Sequence, residues 1–256
     1  PTTTEPTTTE PTTTEPTTTE PTTTEPTAAE ETTTVAEETT TVAEETTAAA
    51  ETDTDVVGIA ELAGRVLDVY FDIPKEERAK NINITVSSSS FVPKPFTAFQ
   101  WVGMNSREEI IRKQKLIKDS IPSKRIRYTY HDNQTSYLEG VFSRGDRRLC
   151  KSIIKAVELG CKFDGWGEFF DFDKWMQAFS ETGIDPDFYT ARERSYDEVL
   201  PWDHIDVGVT KEFLMCENEK AKAESTTPHC RLECSKCGAQ RFKTGVCTER
   251  RGADNG

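Results

Sequence analysis

The sequence predicts an α/β fold present as a fragment: one helix–strand unit of a larger parallel sheet or barrel, a mostly helical accessory region behind it, and a disordered tail in front. Three observations carry this reading. Residues 1–55 are a low-complexity repeat. Residues 56–105 hold one amphipathic helix feeding one strand and a Pro-rich loop. From residue 106 onward, apolar residues recur mainly at helical spacing.

The tail comes first in the chain. Pro-Thr-Thr-Thr-Glu occurs five times from Pro1 to Glu25, followed by the decayed unit Pro26–Glu30. The period then changes to seven, with Glu31–Glu37 and Glu38–Glu44 identical and Glu45–Glu51 a degenerate copy. Only Val35, Val42 and a few Ala are apolar, so burial cannot offset the entropy of ordering. Pro and charge repulsion favour an extended coil. Residues 1–55 contain twelve Glu, two Asp and no basic residue, and so carry the whole net charge of −14. The other 201 residues balance 31 acidic against 31 basic side chains, so charge indicates neither a nucleic-acid nor an acidic partner. The repeat reads as a bland linker or an assembly artefact, or else as an O-glycosylated stalk.

Ile59, Leu62, Ala63, Val66, Leu67 and Tyr70 predict a helix over 56–71, ended by Pro74. Asn83–Ser88 alternates Ile84 and Val86 with polar residues and predicts a strand. Phe91-Val-Pro-Lys-Pro95 is extended, because each Pro restricts the residue before it. Such a helix–strand–loop is the closing unit of an α/β barrel or sheet. Ser106-Arg-Glu-Glu109 predicts a capping box opening a helix to Ile121 that buries Ile110, Ile111, Leu116 and Ile117. Ile126, Tyr128 and Tyr130 alternate as a half-buried strand. Helices follow over 146–159 with Gly160 as its cap, over 171–182 with Gly183, and over 211–224. The Cys-rich tail occupies 225–256.

Several phrases go beyond composition. They are Ile84-Thr-Val-Ser, Phe91-Val-Pro-Lys-Pro-Phe-Thr-Ala-Phe-Gln-Trp101, Arg144-Gly-Asp-Arg-Arg148, Lys162-Phe-Asp-Gly-Trp166, Gly183-Ile-Asp-Pro-Asp-Phe-Tyr189, Leu200-Pro-Trp-Asp-His-Ile-Asp206 and Gly208-Val-Thr-Lys-Glu-Phe-Leu214. In this order, and with the Cys cluster after them, they resemble the C-terminal half of an uncharacterised cobalamin-type radical S-adenosylmethionine (radical SAM) family, over about Val56–Cys247. The resemblance implies a parent enzyme with a partial barrel, a [4Fe–4S] cluster held by C-x3-C-x2-C after the first strand, and S-adenosylmethionine. Full members also carry a cobalamin-binding-like N-terminal domain. It implies that 56–105 is the last helix and strand of the barrel, with Phe91, Val92 and Pro93 at the rim of the S-adenosylmethionine site. The cluster-binding barrel segment is the partner this fragment lacks, so the chain is expected to be inactive alone. No catalytic residue and no substrate follow from the resemblance.

Seven Cys, four of them within the eighteen residues 230–247, read as a metal site in a reducing compartment rather than a disulfide framework. Cys234-Ser-Lys-Cys237-Gly238 is a metal knuckle, and Cys230 supplies a third thiolate. Cys230-x3-Cys234-x2-Cys237 has the radical SAM spacing, but only nineteen residues follow, too few for a barrel. Family relatives place a fourth Cys where this chain has Gln240; Cys247, or else His229, would complete the shell. Zn²⁺ and an accessory Fe–S cluster both suit such ligands. Cys150, Cys161 and Cys216 read as small buried hydrophobes. Arg144, Arg147 and Arg148 read as a salt-bridged helix start before a phosphate site, and Trp202-Asp203-His204 with Asp206 as a structural turn before a dyad.

No stretch reaches the roughly 18 apolar residues of a membrane span, and the start at Pro1 shows neither a signal peptide nor Met. The expectation is a cytoplasmic parent with its natural start missing, or an extracellular one if the repeat is a stalk. The rival function is a non-catalytic, metal-stapled adaptor or surface-displayed module on an acidic tether.

Overall fold

The computed structural model describes residues 51–230 and 232–242. They form seven α-helices and a two-stranded parallel sheet. Most of the expected tail, residues 1–50, lies outside them.

Helix α1 spans Asp53–Asp72. It begins earlier than the periodicity suggests, because Thr52 and Asp55 make a reciprocal capping box that satisfies the first turn. Residues 53–55, which the sequence reading places in the tail, are therefore the first turn of α1. The helix buries Val56, Ala60, Ala63 and Leu67, one face at i, i+4, i+7 and i+11. It ends at Ile73, before Pro74.

Strand β1 (Ile84–Ser88) pairs in parallel with β2 (Ile126–Tyr130), with Ile84 opposite Ile126 and Ser88 opposite Tyr130. A parallel pair needs a crossover, and α2 (Arg107–Ser120) supplies it. The sheet thus joins a strand that the sequence reading assigns to the closing unit of a barrel or sheet to one it places in the accessory region. Ser106 caps α2 by accepting from Glu109 N–H. The expected reciprocal half is not made, because the Glu109 carboxylate turns to Arg112. Ile110, Gln114 and Ile117 are buried, whereas Ile111 is exposed and Leu116 half-buried, which corrects the expected inward face. Gln114 is buried because its amide donates to the His131 carbonyl at 3.0 Å.

Both helices cover the same side of the sheet. Ala63, Leu67, Ile84, Val86, Ile121 and Ile126 form one small core, and α1 also packs along α2. The other side carries Thr85, Ser87 and Arg127, all exposed, and Thr129.

The remaining helices are α3 (Asn133–Ser143), α4 (Leu149–Glu158), α5 (Phe172–Glu181), α6 (Asp187–Thr190) and α7 (Lys211–Lys222). Helix α3 is capped by Asp132, which accepts from Thr135 N–H. Gly160 and Gly183 adopt positive φ just past the ends of α4 and α5, as the sequence predicts. Tyr137, Val141, Trp175, Phe179 and Tyr189 form a second core among α3–α6. Trp101, Leu200, Trp202 and Leu214 form a third against α7.

Two loop segments tie these parts together. Met104 N–H donates to Thr190 O and Arg194 N–H to Trp101 O, both at 2.8 Å. Here only glycine fits: a Cβ on Gly103 would lie 2.2 Å from the Ala191 carbonyl oxygen. Arg144 is fully buried and donates to the carbonyls of Thr190 and Arg192.

Candidate functional site

Ligands of parallel α/β folds bind beyond the carboxyl ends of the strands. At that end β1 runs into Ser88-Ser89-Ser90-Phe91, and a cavity of about 130 Å³ opens between them and α1 and α2. Val56, Ile59, Ile110, Gln114, Ile117 and Tyr128 line it, with Lys113 and Glu51 at one side. The Ser88 and Tyr128 hydroxyls are hydrogen-bonded at 2.6 Å. Burial pushes the Tyr128 phenol up, against the opposing pull of that bond. The Ser90 hydroxyl is buried with no hydrogen-bond partner. Typical ligand pockets measure about 300–1,000 Å³, so this cavity is too small for a nucleoside-sized cofactor.

Of the three expected rim residues, Phe91 lines this cavity and is 53% exposed, its ring edge-on to Phe99 at 5.5 Å. Val92 is half-buried and outside the lining, and Pro93 is fully buried. Farther along the exit loop, Phe96 adopts φ 60°, and its N–H donates to Gln100 Oε1. The same oxygen accepts from Trp202 Nε1 at 2.7 Å. The loop is thereby fastened to the core around α7.

The cysteine segment docks on the start of α7. Lys236 and Gly238, on either side of Cys237, both have positive φ (56° and 97°), so the chain turns sharply there. Thr210 N–H donates to Cys237 O at 2.9 Å, and Gly238 lies against Gly208 and Thr210 so closely that a Cβ would meet Thr210 Cγ2 at 2.7 Å. Arg241 pairs with Asp206. Cys230 and Cys234 are exposed and Cys237 half-buried. Among the described residues no three Cys, His, Asp or Glu side chains converge into a metal-holding group. The fourth expected ligand, Cys247, lies outside the described residues. The donor set is chemically suited to Zn²⁺ or an Fe–S cluster.

The Trp202–Asp206 turn is structural in its hydrogen bonding. Asp203 accepts from Leu200 N–H and Lys211 Nζ, and Asp206 accepts from Gly208 N–H. His204 lies exposed beside them, on the rim of a groove of about 400 Å³. Arg144, buried and bound to carbonyls, is not available to a phosphate, and Arg148 is taken by Asp146. Cys161 is buried as expected, and burial pushes its thiol up. Cys150 and Cys216 are exposed, which corrects the expectation of buried thiols.

One feature escaped the sequence reading. The loop after α4 presents Phe163, Trp166 and Phe169 at 71%, 63% and 56% exposure. Phe163 sits at φ 59°, a strained value for a bulky residue. The two Phe flank a groove of about 670 Å³ with Lys162, Glu168 and Asp173. Phe163-Asp-Gly-Trp-Gly-Glu-Phe-Phe170, four aromatics among turn residues, is the signal that could have found it.

No family model matches this chain, and no curated protein or solved structure matches it. No helix among the described residues is long and apolar enough to cross a membrane.

Proposed function

We propose that this chain is the C-terminal part of a radical SAM enzyme, in which α1, β1, α2 and β2 close the barrel that holds the cofactor. The observation that carries the reading is the unfinished edge of the sheet. β1 pairs with β2 alone, so its far edge carries no strand among the described residues. Beyond its buried face, α1 bears a second apolar stripe, Leu62, Val66, Val69 and Ile73, at 56%, 49%, 65% and 40% exposure. Helix α2 covers the sheet as a crossover between two strands. Helix α1 lies beside it on the same side and enters β1 in the same way, as a crossover whose first strand belongs at that open edge. With right-handed crossovers, that missing strand and its helix would cover the stripe. Helices on one side only suit a barrel wall better than a doubly wound sheet, which carries them on both.

In the parent, a [4Fe–4S] cluster with S-adenosylmethionine would supply the radical chemistry. The ends of β1 and β2 carry no Cys, so this α/β unit holds no ligand for that cluster and the chain alone is inactive. Ser88–Phe91 would form one wall of the larger site. Separately, Cys230, Cys234, Cys237 and Cys247 would hold one Zn²⁺ or one accessory Fe–S cluster that orders the polar C-terminal segment.

The test starts from the genome. The reading frame upstream of Pro1 is sequenced, and the extended protein is reconstituted anaerobically and assayed for 5′-deoxyadenosine. An upstream C-x3-C-x2-C in a barrel-sized segment, with product formed by the extended protein and none by residues 1–256, supports the reading. Its absence, or product from the short chain above a Cys237→Ala control, overturns it in favour of the adaptor module. Elemental analysis of aerobic and anaerobic preparations tests the metal. Less than about one site per chain in both, or unchanged metal in Cys234→Ser, refutes that assignment.

A further inference from the structure

The outward face of α4 is apolar. The helix buries its small residues, Ser152 and Ala156, with Leu149, and turns its large ones to solvent. Ile153, Ile154 and Val157 are 41%, 61% and 55% exposed, and Cys150 is exposed beside them. At about 100° per residue these four fall within an arc of about 100°, opposite the buried face. A helix apolar on both faces is normally covered on both, and no described element covers this one.

The stripe is compatible with a second copy of itself, as any stripe at i, i+3, i+4 and i+7 is, and its flanking charges favour that partner. Positions 150, 153, 154 and 157 are symmetric about the midpoint between Ile153 and Ile154. A second α4 laid antiparallel across that midpoint brings Cys150 against Val157 of the other copy at both ends, with the Ile residues in the centre. The pairing is isologous, as a two-fold axis requires. Charge agrees with shape. Lys151 and Glu158, both exposed, lie one heptad apart along the same edge of the stripe. An antiparallel two-fold pair sets like edges together, so each Lys151 faces the other copy's Glu158 with an axial offset of about 3 Å, given 1.5 Å per residue. A parallel two-fold pair would set this edge against the opposite edge of the other copy, and so would not bring Lys151 to Glu158.

We infer that the outward face of α4 is a homodimer interface, formed by antiparallel packing of two copies of α4 about a two-fold axis between Ile153 and Ile154. The helix is ten residues long, about 15 Å. Alone it falls short of the about 800 Å² per partner of a standard stable interface. The dimer is therefore weak and concentration-dependent. The inference does not depend on the radical SAM reading.

Sedimentation equilibrium of the full chain from micromolar to hundreds of micromolar, under reducing conditions, tests it. A reversible monomer–dimer equilibrium is expected, abolished in Ile154→Glu with the circular dichroism spectrum unchanged. Lys151→Glu should weaken the dimer about two- to fivefold, the range of exposed ion pairs. The double variant Lys151→Glu/Glu158→Lys should restore it. A chain that stays monomeric throughout, a dimer indifferent to Ile154→Glu, or a charge swap that fails to restore association would each overturn the proposal.

Discussion

Helix α1 offers a direct comparison of two apolar stripes on one element. Replacing Leu67 with Ala removes a side chain that is 6% exposed and packed on Ile84, Val86 and Ile126. Leu→Ala in cores costs about 2–5 kcal/mol; one turn from the helix end, beside half-buried neighbours, about 2–3 kcal/mol is expected. The triple variant Leu62→Lys/Val66→Lys/Val69→Lys alters three residues at least about half exposed. Such surface changes usually stay within about 0.5 kcal/mol each, and Lys is a better helix former than Val by a few tenths of a kcal/mol. The triple variant should therefore match the parent chain or slightly exceed it. Urea unfolding followed at 222 nm measures both. A loss above about 1 kcal/mol in the triple variant, at unchanged m-value, would mean that this chain covers the stripe itself, and the open-edge argument would fail. In an extended protein that supplies the missing strand, the same variant should be the more damaging of the two.

Gly103→Ala should cost about 3 kcal/mol or more, since its Cβ meets backbone that cannot move without breaking the flanking 2.8 Å hydrogen bonds; a melting temperature within two degrees of the parent would refute the close approach. Arg144→Met takes the side-chain donor from the Arg192 carbonyl and leaves Thr190 O with Met104 N–H alone, but removes a buried charge, for a net loss of about 2–4 kcal/mol by denaturant unfolding. Arg144→Lys keeps the charge with fewer donors and should be no better than Met; a Lys variant of parental stability would contradict this. Thr52→Ala should cost about 1 kcal/mol through loss of the α1 cap, measured in the same way. Hydrogen bonds from Arg192 and Arg148 hold Glu198 and Asp146 below the usual carboxylate range. A depressed folded pKa means stabilisation that is complete above the unfolded values near 4 and lost as pH falls through the folded ones. Stability should thus be flat from about pH 5.5 to 8 and decline below about 4, and Glu198→Gln should flatten that acid limb.

Local signals were legible wherever one residue decides the outcome. Pro74, Gly160 and Gly183 ended helices where expected, and alternation located both strands. The pairing of β1 with β2 was not legible, because parallel contacts join residues some forty positions apart and leave no local mark. Helix α3 lay hidden in a stretch read only as generally helical. Asp132 is its cap, and Asn133 accepts from Arg107 at 3.1 Å. Periodicity also cannot say which of two apolar stripes faces inward. It merged Leu62 and Val66 with Ala63 and Leu67, and took Cys150 for a buried thiol. For the site, the exit loop lies at the end of β1, whereas the thiols that the spacing groups do not converge into a metal-holding set among the described residues. The strained aromatic loop went unseen because its exposure depends on how α4 and α5 meet.

The two 2.8 Å backbone bonds that tie Trp101 and Met104 to Thr190 and Arg194 have a consequence for how the molecule opens. They fasten the exit loop of β1 to the far end of α6, so α2, β2 and α3–α5 all lie inside one closed loop of chain. Releasing either anchor exposes buried Arg144 and uncovers the Gly103 contact together, which makes piecemeal fraying of this loop costly. Amides from 104 to 194 should therefore exchange with solvent as one cooperative block, and the first half of α1, outside the loop, should exchange on its own schedule.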